Sequence, residues 1–278
     1  MSDQASRDLE AFKVFEHNGW EQVSHSYHDS LEPVTQQATK PLLDAVEAGA
    51  GVRLLDVGCG TGYVSALAGA RGADAVGIDF ALSMVDEARD LHPDIEFREG
   101  DAEALPFADD SFDAIVCNFG ILHFARPDQA IAETHRVLRA GGGGRFAFTA
   151  WSPPEKSPYF ANFLGAVAEY GDTNVPLPQG PPIFAYGDPE QCERSLAAWG
   201  YIDITYTELP LTVRLNNEHE VLNPLYFGSV RSRGLLLAQQ DDKRERIQRA
   251  AVEGAKKYRQ GNIIEIPLPA LLTAARKP

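Results

Sequence analysis

Three carboxylates, each at the end of an apolar run, are the side chains in this sequence best placed to hold a ligand. Asp56 stands in Leu54-Leu55-Asp56-Val57, directly before the turn Gly58-Cys59-Gly60-Thr61-Gly62. Asp79 closes Ala75-Val76-Gly77-Ile78, and Asp101 follows Ile95-Glu96-Phe97-Arg98 in Gly100-Asp101-Ala102. A glycine turn between a strand and a helix brings bare backbone N–H groups to a ligand at the positive end of the helix. Dinucleotide, phosphate and nucleoside binders all use one. Here the spacing is G-x-G-x-G, without the G-x-x-G step of a pyrophosphate seat, and no Gly-Lys-Ser/Thr follows. A carboxylate at Asp56 repels phosphate and suits an ammonium. Asp79, twenty-one residues after Gly58, is at the distance where a second-strand acid accepts from both ribose hydroxyls. Asp101 can accept from an adenine amino group, and Met84 can lie on the purine face. Together they describe a seat for a cationic adenine nucleoside without phosphates.

The residues that carry this pattern extend further. Leu54-Asp56-Val57-Gly58-Cys59-Gly60-Thr61-Gly62, Gly77-Ile78-Asp79, Gly100-Asp101-Ala102-Glu103-Ala104-Leu105-Pro106-Phe107, Ser111-Phe112-Asp113 and Arg136-Val137-Leu138-Arg139-Ala140-Gly141-Gly142 follow in order over roughly residues 15–151. In this the chain resembles the class I S-adenosylmethionine-dependent methyltransferases, nearest to the branch of the ubiquinone/menaquinone C-methyltransferases. The resemblance implies S-adenosyl-L-methionine as cofactor, S-adenosyl-L-homocysteine as product and a small-molecule acceptor. It implies that Asp56 fixes the methionine amino group, the backbone of Gly58, Cys59 and Gly60 the carboxylate, Asp79 the ribose, and Asp101 with the Ala102 N–H the adenine. Phe80, Met84 and Asn118 complete the expected cofactor contacts. Trp20 and Tyr27 match aromatic positions in a segment that covers the methionine end, with plain packing as the rival for Trp20. His123, in Gly120-Ile121-Leu122-His123-Phe124, matches a histidine that faces the methyl-transfer zone and is the candidate catalytic base. A structural histidine beside an apolar run is the alternative.

These groups need a frame to hold them. Strands expected at about 54–57, 75–79, 95–98, 112–118 and 145–151 alternate with Ala/Leu-rich helical patterns, which calls for a parallel sheet covered on both faces. Ligands lie at the carboxyl ends of such strands. The fold expected is α/β, a Rossmann-like, doubly wound sheet of seven strands, mostly parallel with the last antiparallel, carrying a helical cap. Residues 1–278 read as one domain: a lid over 1–30, a cofactor-binding core over 31–151, a lid insertion over 152–187, and a last helix and strands over 188–278. Within the first segment a short helical pattern precedes Asn18-Gly19-Trp20, and Pro33 to Glu47 reads as one helix. The proline-rich stretch to Tyr186 offers Phe160, Phe163, Tyr170, Phe184 and Tyr186 either to a substrate or to the core. Tyr201–Leu209 is the sixth strand, and Gly261–Ala275, broken by Pro267 and Pro269, the seventh; the resemblance makes them a hairpin interrupted by a helical insertion over 216–260. Arg231, Arg233, Lys243, Arg244 and Arg246 read as a solvated face.

Composition narrows the function. With 278 residues, 44% of them hydrophobic, the chain can bury a large core. A net charge of −15 makes nucleic acid an unsuitable partner, because such binding depends on phosphate neutralisation. No run approaches the roughly 18 apolar residues of a membrane span, and the polar start Met1-Ser2-Asp3-Gln4 is unlike a signal peptide. Three cysteines without metal-like spacing suit neither a disulfide framework nor a zinc site, so no metal is expected. Cys59 is read as a small residue filling the turn. A cytoplasmic enzyme is expected, with a homodimer left open. An NAD-dependent oxidoreductase and a non-catalytic S-adenosylmethionine-binding regulator are the competing readings.

Overall fold

Leu54, Leu55 and Val57 are almost wholly buried in the first strand of a seven-stranded sheet. The computed structural model describes residues 3–278; the polar start at Met1 and Ser2 lies outside them. A helix α1 (Asp3–Ser30) leads through two short helices, α2 (Glu32–Thr35) and α3 (Thr39–Ala45), into β1 (Arg53–Val57). Strand–helix alternation follows: α4 (Tyr63–Ala70), β2 (Asp74–Asp79), α5 (Leu82–Leu91), β3 (Glu96–Glu99), β4 (Ala114–Asn118), α6 (Pro127–Val137) and β5 (Arg145–Trp151). Next come α7 (Pro158–Tyr170), α8 (Pro189–Ala198), β6 (Ile202–Leu209), β7 (Thr212–Leu215), α9 (Asn223–Gly228), α10 (Val230–Leu237) and α11 (Asp241–Ala255). Strands β8 (Arg259–Gln260), β9 (Ile263–Pro267) and β10 (Ala270–Arg276) end the chain.

The sheet order is β3-β2-β1-β4-β5-β10-β6, with β10 antiparallel to both neighbours and the first five strands parallel. This is the Rossmann-like α/β architecture expected. Alternate residues feed two core clusters: Leu54, Ala75 and Val116 pack with α3, α4 and α7, whereas Leu55, Val57 and Ile115 pack with α6 and α8. The order of succession reverses between β1 and β4, which opens a crevice at their carboxyl ends.

Three local expectations are corrected. The stretch over 261–275 is not one strand. Pro267 and Pro269 lack the N–H that a ladder needs, and the chain passes there from β9, in a separate β7-β9-β8 sheet, to β10 in the main one. That second sheet was not foreseen. Asn18-Gly19 does not break α1; a Cβ on Gly19 would lie 2.3 Å from Cγ1 of Val230, so glycine admits α10 to close contact. The helix over 33–47 is instead α2, a 3-10 turn Gln36–Ala38, and α3.

Candidate functional site

The glycine turn is pinned from below. Gly58 N and Cys59 N both donate to Ile78 O, at 2.8 and 3.0 Å, so the end of β1 is tied to the end of β2. Gly60 N donates to Asp79 Oδ2 at 2.9 Å, and Ala81 N to Asp79 Oδ1 at 3.0 Å. Each carboxylate oxygen keeps a second lone pair for a further donor. Asp56 Oδ2 accepts from Ser65 N at 3.1 Å and Ser65 Oγ at 2.8 Å. Its Oδ1 is buried and has no hydrogen-bond partner.

Both acids are buried, and neither forms an ion pair with Lys or Arg among the described residues. Burial pushes Asp56 up to about 7, with the nearby charge of Asp79 adding to the effect; burial also raises Asp79, against the pull of its backbone hydrogen bonds. They line one cavity together with Gly58, Cys59, Gly60, Phe80, Met84, Asp101, Ala102, Asn118 and His123. An unpartnered oxygen and uncompensated negative charge fit the ammonium and sulfonium of S-adenosylmethionine, which would settle both.

Within this cavity the individual side chains differ in how free they are. Asp101 is not open: Oδ1 accepts from Glu103 N at 2.9 Å and Oδ2 pairs with Lys13 Nζ, which also lies 3.3 Å from Glu103 Oε2. Asn118 Nδ2 donates to Thr35 O at 3.2 Å, and its Oδ1 accepts from Thr149 Oγ1 at 2.7 Å, so its amide braces the wall. Cys59 is buried, its sulfur set 3.0 Å from where a Cβ on Gly77 would stand, and burial raises its thiol well above the usual range. It fills the turn, as expected. Tyr27 Oη lies 3.1 Å from Thr35 Oγ1, and burial raises its phenol.

Helix α1 roofs the cavity with Lys13, Trp20 and Tyr27. Trp20 meets Tyr27 and His123 edge to face, with ring centroids 5.6 and 4.8 Å apart. His123 Nδ1 is 2.9 Å from Glu16 Oε2, and Arg231 Nε donates to Glu16 Oε1 at 2.9 Å. Arg231 therefore does not belong to a solvated face. Its other nitrogens donate to Pro181 O at 2.7 Å and Leu122 O at 2.8 Å, and it stacks over Phe12. Arg246 does remain exposed.

The far wall is apolar: Trp151, Tyr159, Phe160, Ile183, Leu225 and Leu268. Of the five aromatics offered by residues 160–186, Phe160 reaches the cavity and Phe184 packs on it at 5.1 Å; Phe163 and Tyr186 enter the core, and Tyr170 is exposed. Sequence reasoning missed Lys13, Glu16 and Glu32, the last buried in the lining and bonded to Thr61 Oγ1. Lys13, Glu16, Trp20 and Tyr27 recur at three-, four- and seven-residue steps, a helical face that the sequence did carry.

Comparison with known proteins agrees with this geometry. The family model described as a methyltransferase domain matches residues 55–146. The demethylmenaquinone methyltransferase of Renibacterium salmoninarum is 36% identical over 186 residues, 63% of this chain and 77% of the relative. The YcgJ protein of Bacillus subtilis superposes with a TM-score of 0.58 at 23% identity, over 87% of this chain and 98% of its own. Phosphoethanolamine N-methyltransferase 2 of Haemonchus contortus, solved with S-adenosyl-L-methionine, gives a TM-score of 0.51 at 19% identity, over 86% of this chain and 52% of that one. Neither the oxidoreductase nor the non-catalytic reading is favoured by them.

Proposed function

The chain belongs to the class I S-adenosylmethionine-dependent methyltransferases, in their quinone-methyltransferase branch, and from that membership we propose that its acceptor is a neutral aromatic hydroquinone or phenol. The enzyme transfers a methyl group from S-adenosylmethionine to a small molecule. The bound cofactor supplies a methyl carbon already activated on sulfonium, with a thioether leaving group that needs no protonation.

The chain's own residues have three tasks. In this reading Asp56 Oδ1 accepts from the methionine ammonium, the turn backbone over Gly58–Gly60 faces the carboxylate, and Asp79 accepts from the ribose. Asp101, through the lone pairs that its contacts with Glu103 N and Lys13 leave, and the Ala102 N–H would meet the adenine, with Phe80 and Met84 on its faces, while Asn118 braces the wall of the cavity. Trp20 and Tyr27 exclude water from the methionine end, and α1 acts as a lid. His123 takes the acceptor's proton. One observation carries the cofactor assignment: two buried carboxylates without Lys or Arg partners among the described residues line a single cavity, and one keeps an unpartnered oxygen.

The acceptor follows from the opposite wall. Trp151, Phe160, Leu225 and Leu268 offer surface to an apolar ring, and Arg231, joined to His123 through Glu16, is already neutralised by that carboxylate. An anionic acceptor would find no counter-charge there and would lose its hydration. The reading also has the enzyme in the cytoplasm and without nucleic-acid partners, in keeping with its acidic charge. No helix among the described residues is long and apolar enough to cross a membrane. Light scattering decides between a monomer and a homodimer. To test the acceptor class, methyl transfer is measured to 1,4-naphthohydroquinone and to its carboxylated analogue. Turnover confined to the neutral compound is expected; equal turnover of the acid would rule the assignment out.

A further inference from the structure

A buried carboxylate that no ligand assignment uses sits behind His123. Glu16 is fully buried on α1, in the middle of the lid face. One of its oxygens accepts from Arg231 Nε of α10 and the other stands 2.9 Å from His123 Nδ1, in the 3-10 turn Ile121–His123 after β4. Glu16 and Arg231 form an ion pair, and removing either charge would strand the other in the interior. An ionised carboxylate only accepts hydrogen bonds, so Nδ1 must carry the hydrogen. A neutral ring then has its lone pair at Nε2. Among the described residues no protein group hydrogen-bonds Nε2, while His123 lines the cavity.

We propose that Glu16 is a positioning residue: held by Arg231, it fixes the His123 tautomer so that Nε2 faces the acceptor as a proton acceptor. The inference rests on the reading of His123 as the base. As the acceptor's nucleophilic atom bonds to the methyl carbon, the carbon–sulfur electron pair stays on sulfur and the acceptor's proton passes to Nε2. The resulting imidazolium is matched by the Glu16 carboxylate, and the proton leaves to water once the product departs. The charged groups around the ring include Glu16 from α1, Arg231 from α10 and Asp79 from the end of β2. Because Arg231 comes from the cap and Glu16 from the lid, the base is armed only when both are closed over β4.

The test uses the full chain labelled with 15N-histidine, with the His123 resonances assigned by their loss in His123→Asn. Long-range proton–nitrogen correlation should show Nδ1 protonated and Nε2 bare in the wild type. Glu16→Gln, which keeps size but offers an N–H, should move hydrogen to Nε2. Turnover of 1,4-naphthohydroquinone should fall about 100-fold, the scale of general-base catalysis, with KM nearly unchanged. Glu16→Asp, which keeps the charge, should recover the tautomer and part of the rate. An identical tautomer in the wild type and Glu16→Gln overturns the proposal while leaving His123 as base. Undiminished turnover in His123→Asn removes the base and the proposal together.

Discussion

Asp56 holds its carboxylate where ionisation is costly, and this gives cofactor binding a pH signature. An acid raised to about 7 keeps its proton in the free protein below that pH, whereas an ammonium seated against it, as proposed, would favour the ionised form. Binding therefore expels a proton on the acid side, and affinity should climb by up to about tenfold per pH unit toward pH 7, then level off. Calorimetry with S-adenosylhomocysteine in two buffers of different ionisation enthalpy reads the proton directly. Asp56→Asn should abolish most of the release, leaving a residue from Asp79, which burial also raises. A pH-independent affinity in the wild type is the contrary result. The acids at strand ends were legible because chemistry and spacing coincide in a short stretch. Lys13 on Asp101, and Arg231 on Glu16, were not: each joins segments far apart in the chain, and nothing local in the sequence records such a pairing.

At the level of elements, the strand–turn–helix unit separates two roles for glycine. Gly62 has φ +84°, and a Cβ there would stand 2.5 Å from Cζ of Phe97, so Gly62→Ala combines left-handed strain with overpacking. It should cost about 2–5 kcal/mol in chemical denaturation. Gly60, at φ +52°, would meet nothing within 4 Å. Gly60→Ala should cost only about 1–2 kcal/mol of stability, yet weaken cofactor binding more than tenfold, roughly, by filling space the ligand needs. Equal effects of the two substitutions on both measurements would contradict this division. β5 forms over the strand expected at 145–151, and α8 begins where the last helix is expected, just past residue 188, because an alternating run and an Asp188 cap followed by Pro189 are local signals. The split at Pro267 was half legible. The prolines marked a break, but that the two halves belong to different sheets depends on pairing with β7 and β5.

Seen as a whole, the molecule is a conventional sheet with its crevice closed by three segments distant in sequence: α1, the loop and helix around Phe160, and the insertion carrying Leu225 and Arg231. Helix α1 touches the crevice chiefly along one face, so its order should respond to the ligand. Hydrogen exchange of residues 3–30 should slow on adding S-adenosylhomocysteine, while exchange in β1, β4 and β5 should change little; uniform protection throughout would argue against a lid. The central claim, that buried carboxylates at neighbouring strand ends hold the cofactor, is tested most directly by calorimetric titration of S-adenosylhomocysteine into the wild type and Asp79→Ala. Losing charge-assisted hydrogen bonds to the ribose should weaken binding roughly 10- to 100-fold. An unaltered dissociation constant in a folded Asp79→Ala protein would contradict the account.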